Sequence, residues 1–314
     1  MTFLIHGTGG VGGFFGAKLF QAGEEVWFLA RGKHLEASRR NGLRVVSTQG
    51  TITIPGDRVK GNVADIGSAD VVLFCVKSYD TEPAAEQLKP VLTDNTVILP
   101  LQNGIDNEEK IQSILPQAVV YGGVAYISSR MTAPGEITET GGAQRIVFGP
   151  MDGVVTERAK HLLTVFRNAG IHAELQPAIV AELWRKFIFI TSFGSFTALS
   201  RLSNGDILAV PQTMELVFEA MKEVEAVANA KGIGVEPLDR EKVVAGLTRF
   251  DPNTRSSMYF DLINEKPMEI EALNGTVVRL GEALGIPTPI HRTIYAALLP
   301  YHLKHLQKRL SVPS

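Results

Sequence analysis

Thr2-Phe3-Leu4-Ile5, Gly7-Thr8-Gly9-Gly10-Val11-Gly12 and Phe14-Phe15-Gly16-Ala17-Lys18-Leu19 follow one another at the start of the chain as apolar strand, glycine loop and helix. An apolar strand that ends in G-x-G-x-x-G and runs straight into a helix has the pattern of a dinucleotide-binding turn. Gly7 permits the tight turn, and Gly9 lets a pyrophosphate approach the backbone without meeting a Cβ. Gly12 lets the helix pack close on the strand. The N–H groups exposed along Thr8, Gly9, Gly10 and Val11 at the helix start receive the anion. The alternative is a glycine-rich surface loop with no ligand, and the flanking strand and helix argue against it.

Gly23 stops the first helix and Glu25 to Ala30 reads as the second parallel strand. In this motif an acidic residue about 20 positions past the glycines holds the ribose 2′-hydroxyl and selects NAD. Here the strand ends in Ala30-Arg31-Gly32-Lys33, with no carboxylate. Arg31 and Lys33 suit a 2′-phosphate, and a guanidinium also stacks on an adenine face. Two solvated cations at a strand end are the plainer alternative, so the expectation is NADP.

The 314 residues, 45% hydrophobic and 20% charged, suffice for two domains. A net charge of −2 argues against nucleic acid or an anionic membrane as main partner. No signal peptide is legible, and the apolar stretch from Phe187 to before Arg201 is too short to span a bilayer. The expected compartment is the cytoplasm, and a homodimer stays open. The single cysteine, Cys75, lies in the run Val71 to Val76 and reads as an inert core thiol. Seven histidines show no ligand spacing, so no metal is expected. His302 and His305 on the final helix read as a solvated face.

Continuous apolar runs at Val71–Val76 and Thr96–Leu99 suit strands covered on both faces. Leu43–Val46 and Thr51–Ile54 read as a small hairpin. Further strands are expected at Val119–Tyr121, Gly135–Thr140, Arg145–Phe148 and Ile171–Leu175, with a Thr156-capped helix ending at Gly170. The fold class is α/β: an N-terminal Rossmann-type doubly wound parallel sheet over residues 1–177, and an all-helical domain over 178–314. The second half carries helical periods at Ala181–Leu199, Met214–Lys231, Arg240–Arg249, Met268–Leu284 and Thr293–Leu310. In the second of these, Val217, Met221, Val224 and Val227 or Ala228 form a core stripe. The cleft between two such domains is the expected meeting place of substrate and cofactor.

Two segments of the helical half carry candidate chemistry. Ala181-Glu182-Leu183-Trp184-Arg185-Lys186-Phe187 sets an ammonium at the edge of an apolar helix, which is costly unless it snorkels or has a task. The other segment runs Asn253-Thr254-Arg255-Ser256-Ser257-Met258 and continues at Glu269-Ile270-Glu271-Ala272-Leu273-Asn274-Gly275. Each residue alone also reads as an ordinary solvated side chain.

Together these motifs resemble the ketopantoate reductase (2-dehydropantoate 2-reductase) family over almost the whole chain. The resemblance rests on Gly7–Gly12, Arg31, Lys77, Leu101-Gln102-Asn103-Gly104, Glu182–Lys186, Thr197-Ala198, Ser256-Ser257-Met258 and Glu269-Ile270-Glu271 with Asn274-Gly275. It implies reduction of a small 2-oxo acid by NADPH, with Lys186 as general acid at the carbonyl oxygen. A protonated amine suits that role because it stabilises the developing oxyanion and then neutralises it. By the same resemblance, Ser257 with Thr254, Arg255 and Ser256 binds the substrate carboxylate. Asn103 touches nicotinamide and substrate, Lys77 lies against the cofactor, and Glu269 orients the reacting groups near Lys186 and the ribose. Asn204 matches an asparagine at the substrate cleft. Ser128, after a Gly122-Gly123 turn, faces the cofactor.

The sequence departs from the family at one place. The best-known members carry substrate-binding asparagines four and eight residues after the lysine, where this chain has Ile190 and Gly194. Thr191, Ser192 and Ser195 are the nearby hydroxyls. Three readings follow: a ketopantoate reductase, a sibling 2-oxo acid reductase with a more apolar pocket, and a non-catalytic NADPH sensor. A sensor needs none of Lys186, Ser257 and Glu269.

Overall fold

The alternation of strand side chains divides the sheet's apolar runs between two cores. Phe3, Ile5, Val71, Leu73, Val97 and Leu99 belong to one cluster, and Leu4, Val72, Phe74 and Ile98 to another. Successive strand residues point to opposite faces, so an uninterrupted apolar run is what a strand with helices on both sides requires. The structure, a computed structural model, describes residues 1–311. Its contacts divide into two units. The first comprises residues 1–102 and 106–180, and the second the segment Asn103–Ile105 and the chain from Ala181.

Among the described residues the first unit holds all the strands: β1 (Thr2–His6), β2 (Glu25–Leu29), β3 (Leu43–Ser47), β4 (Gly50–Ile54), β5 (Val59–Lys60), β6 (Val71–Phe74), β7 (Val97–Pro100), β8 (Val119–Ala133), β9 (Glu136–Pro150) and β10 (His172–Leu175). Their order is β4-β3-β9-β8-β7-β6-β1-β2-β5, with β10 beside β9. From β5 to the start of β8 every pairing is parallel. Helices α1 (Gly10–Gln21) and α5 (Glu157–Asn168) contribute to the first core; α3 (Thr81–Gln87) and α4 (Asn107–Ile114) contribute to the second. The remaining helix of this unit, α2 (Gly32–Asn41), follows β2. The Thr156 hydroxyl caps α5 by accepting from Ala159 N–H, as its place before the apolar period implies.

The expected short strands after residue 119 are instead one long antiparallel hairpin of β8 and β9. Gly122 and Gly123 are not a turn. They lie within β8, opposite Gly149 and Phe148. A Cβ on Gly123 would run into the Pro100 carbonyl and come within 2.7 Å of Leu99 Cδ1, so this glycine serves close strand packing.

Glu108, in the first turn of α4, is buried, and burial raises its carboxyl to about 7 against the effect of backbone N–H donors. A carboxyl raised in the folded state contributes stability fully present below its unfolded value of 4.5 and lost as pH rises through about 7. Glu108→Gln, which mimics the protonated form, is expected to stabilise the protein by about 1–2 kcal/mol at pH 8 and little near pH 4.5. Urea unfolding at both pH values checks this, and an equal gain at both would contradict it.

The second unit is helical: α6 (Ile179–Ser200, entering the unit at Ala181), α7 (Asn204–Leu208), α8 (Pro211–Ala230), α9 (Arg240–Leu247), α10 (Ser257–Ile263), α11 (Thr276–Leu284) and α12 (Pro289–Ser311). Val217, Met221, Val224, Val227 and Ala228 are all buried, and α8 packs on α11 and α12. The expected helix from Met268 begins later, as a π-helical turn at Glu271–Gly275 that leads into α11. His302 and His305 do not form a solvated face. Both are buried, because α12 lies against the π-turn and α8. Burial lowers the His302 pKa, and His305 Nδ1 lies 3.1 Å from the Lys266 carbonyl oxygen. Among the described residues no helix is long and apolar enough to cross a membrane.

Candidate active site

In the first unit the glycine loop is shaped by steric exclusion. Gly7 sits at φ +101°, and a Cβ there would lie 2.6 Å from the Cys75 carbonyl carbon and the Val76 nitrogen. A Cβ on Gly12 would strike the Gly7 carbonyl oxygen and come within 2.9 Å of Ile5 Cγ2, which is the close helix–strand approach the motif predicts. Around Gly9 there is nothing within 4 Å of an added Cβ, so the space outside the turn is open. Thr8 ties the loop to the end of β2, donating to the Leu29 carbonyl from Oγ1 at 2.8 Å and from its backbone N–H at 3.3 Å. The N–H groups of the first turn of α1, through Gly10, Val11 and Gly12, have no carbonyl four residues back within the helix.

Arg31 stands at the N-cap position of α2, just after β2, without a capping bond from its side chain, which is 78% exposed; Nη2 donates to Asp80 Oδ2 at 2.7 Å. Lys77 is half-buried and opens the short turn that carries Asp80, directly after the Cys75-Val76 segment packed on Gly7. Cys75 is the free thiol of the chain, and burial raises its pKa. The Ser128 hydroxyl lies 2.9 Å from Thr140 Oγ1, across the hairpin. Its neighbour Ser129 meets the glycine loop instead: a Cβ on Gly10 would collide with the Ser129 carbonyl.

The second unit gathers the proton-donor candidates. Lys186 is half-buried on α6, and burial lowers its pKa to about 8 while Glu269 pulls it upward. Glu269 is buried, and its Oε2 accepts from Asn103 Nδ2 at 3.3 Å. Gln102, the residue before Asn103, belongs to the first unit and is pinned there. Gln102 Nε2 donates to the Val76 carbonyl at 2.9 Å and to Thr81 Oγ1 at 2.8 Å. Gln102 belongs to the Leu101-Gln102-Asn103-Gly104 motif, and its bonds to Val76 and Thr81 are visible only in three dimensions.

The segment from Pro252 to Ser257 is laced to α7 and α6. Asn204 N–H donates to the Thr254 carbonyl at 2.9 Å, and Gly205 N–H to the Pro252 carbonyl at 2.8 Å. A capping box of Ser203 and Asp206 fixes the start of α7. Thr197 Oγ1 contacts Ser256 Oγ at 2.7 Å and accepts from Ser256 N–H at 3.1 Å. Ser256 Oγ also caps α10 by accepting from Tyr259 N–H, which leaves Ser257, exposed at the first position of α10, as the available hydroxyl. Arg255 Nη1 donates to the Asn253 carbonyl at 3.2 Å, and its guanidinium lies 5.2 Å from the Tyr259 ring centre. Gly194 faces this segment, with an added Cβ 3.6 Å from Ser256 Cβ, and Ile190 stands half-buried one turn earlier.

The family described as Ketopantoate reductase PanE/ApbA matches residues 3–153, and its C-terminal counterpart matches residues 178–302. The chain belongs to the ketopantoate reductase family. Its relatives include a 2-dehydropantoate 2-reductase of Archaeoglobus fulgidus, 32% identical over 290 residues and covering 92% of this chain and 94% of the relative. An uncharacterized oxidoreductase of Bacillus subtilis, YkpB, is 29% identical over 301 residues, covering 96% and 99%. Among solved structures, a PanE/ApbA family ketopantoate reductase from Ralstonia eutropha JMP134 superposes with a TM-score of 0.88 at 31% identity, covering 98% and 100%. Ketopantoate reductases are nicotinamide-dependent oxidoreductases that act on small 2-oxo acids, so the non-catalytic sensor reading is set aside.

Proposed function

We propose that this chain is an NADPH-dependent ketopantoate reductase that forms (R)-pantoate for pantothenate and coenzyme A synthesis in the cytoplasm, with Lys186 as general acid. The observation that carries the reading is the half-buried Lys186 beside the buried Glu269, itself bonded to Asn103. An amine at about 8 is mostly protonated at neutral pH and still gives up its proton more readily than an exposed lysine. Glu269 keeps the proton on Lys186 until an oxyanion begins to form, and Lys186 then neutralises that oxygen.

The first unit's residues suit the nucleotide. The open space over Gly9 and the free N–H groups of α1 fit a pyrophosphate, and the exposed Arg31 fits a 2′-phosphate. When bound, the nucleotide supplies the hydride that reduces the keto carbon. We assign residues 1–177 to nucleotide binding, with Lys77 and Ser128 as further contacts, and residues 178–314 to the keto acid. Ser257 and Arg255 hold the substrate carboxylate, while Ser256 and Thr254 shape the turn and Asn204 holds it in place. Asn103, tied to Glu269, orients the carbonyl. NADPH oxidation against a panel of 2-oxo acids tests the reading: ketopantoate should be the best substrate.

A second reading, a sibling 2-oxo acid reductase with a drier pocket, is favoured by Ile190 and Gly194. The hydroxyls of Thr191 and Ser195 do not replace the missing amides, since they donate to the Phe187 carbonyl and to Asn274 Oδ1. Ile190→Asn should therefore raise kcat/KM for ketopantoate about tenfold relative to that for 2-oxoisovalerate, because a recovered partner for a buried hydroxyl contributes about 1–3 kcal/mol. An unchanged ratio with efficient wild-type turnover of ketopantoate would show that other groups already bind the hydroxyl.

A further inference from the structure

Asn274 is fully buried, and both ends of its amide are bonded to α6. Its Oδ1 accepts from Ser195 Oγ at 2.8 Å, and its Nδ2 donates to the Thr191 carbonyl at 3.0 Å. Thr191 and Ser195 are fully buried as well. Asn274 sits in the π-turn Glu271–Gly275, where Gly275 N–H reaches five residues back to the Ile270 carbonyl at 2.9 Å. Such turns are rare, and they concentrate at functional sites. In an α-helix of about 3.6 residues per turn, residues five apart point well away from each other; the widened turn brings them towards one face.

The turn springs directly from Glu269, whose carbonyl accepts from Leu273 N–H at 3.0 Å. Its other side is braced by Glu271. That carboxylate accepts from Tyr295 OH and from Arg279 Nη1, each at 2.8 Å, while Arg279 Nη2 donates to the Glu271 carbonyl at 2.7 Å. The turn is thus held on both sides, and it begins two residues after Glu269.

We propose that Asn274 is a positioning residue: its paired hydrogen bonds to α6 lock the π-turn in the register that holds Glu269 against Lys186. The inference rests on the reading of Lys186 as proton donor. Glu269 raises the Lys186 pKa against the effect of burial. On α6 itself Glu182 and Arg185 are paired with each other, and Asn103 meets Glu269 from the loop after β7. Breaking the clamp lets Glu269 retreat, and the amine then loses its proton at lower pH.

Asn274→Ala is expected to lower kcat about tenfold with less than about a threefold change in keto-acid KM, and to move the alkaline limb of kcat down by about half a pH unit. Ser195→Ala removes one of the two bonds and should give a smaller shift in the same direction, which keeps the proposal testable if Asn274→Ala fails to fold. The pH dependence of Lys186 acylation by a small amine-reactive probe, read by peptide mass spectrometry, should show the same shift without any turnover. That second readout separates this proposal from the substrate assignment: a chain that reduces no 2-oxo acid refutes the latter and leaves the acylation result to decide the former. A lowered melting temperature with unmoved pH and acylation profiles in both variants would overturn the proposal.

Discussion

Lys186→Ala should lower kcat for the keto acid by about 100-fold or more, the usual loss when a positioned general acid is removed. NADPH affinity should hardly change, because the glycine loop and Arg31, to which we assign that binding, lie on other elements. The pH dependence distinguishes a proton donor from a packing residue. The protonated amine is the competent form, so wild-type kcat should be level at neutral pH and fall as pH rises through about 8, where burial has brought the lysine. In Lys186→Ala that limb should vanish from whatever activity remains. Steady-state NADPH oxidation from pH 6 to 10 measures both quantities. A variant that keeps kcat within a few-fold of wild type would reduce Lys186 to a structural cation.

Arg31→Ala should weaken NADPH about 10- to 100-fold while changing NADH only a few-fold, since a charge-assisted contact to a phosphate contributes about 1.5–3 kcal/mol. Asp80 already takes one donor of the guanidinium, at 2.7 Å. As the arginine is largely exposed, that pair adds little to stability. Its effect is to orient the remaining donors, and a guanidinium has enough of them to meet a phosphate as well. Fluorescence titration of both nucleotides against both proteins checks the expectation. Equal wild-type affinities for NADPH and NADH would contradict it.

What was legible in the sequence was what local chemistry determines. Gly7 and Gly12 stand where a Cβ has no room, and the runs at Val71 and Val97 alternate between two cores because they are covered on both faces. The cap at Thr156 and the hairpin of β3 and β4 follow from adjacent residues. What escaped depends on partners distant in the chain. Gly122 and Gly123 look like a turn until the Pro100 carbonyl is seen against Gly123, and Ile179 and Met151 against Gly122. His302 and His305 share a helix with lysines and so look solvated, yet α12 turns them towards the π-turn and α8. The bond between the Thr197 and Ser256 hydroxyls joins residues 59 positions apart and is likewise invisible along the chain. The asparagine of Asn274-Gly275 was legible as a motif; its bonds to Thr191 and Ser195 were not, because they join residues about eighty positions apart.

The measurement that bears most directly on the account is the product analysis of NADPH oxidation by the wild-type protein with ketopantoate as the only 2-oxo acid. Each NADPH consumed should yield one (R)-pantoate, and Lys186→Ala should suppress both together. Tight NADPH binding with no pantoate formed, and no loss of NADPH beyond the rate without substrate, would contradict it.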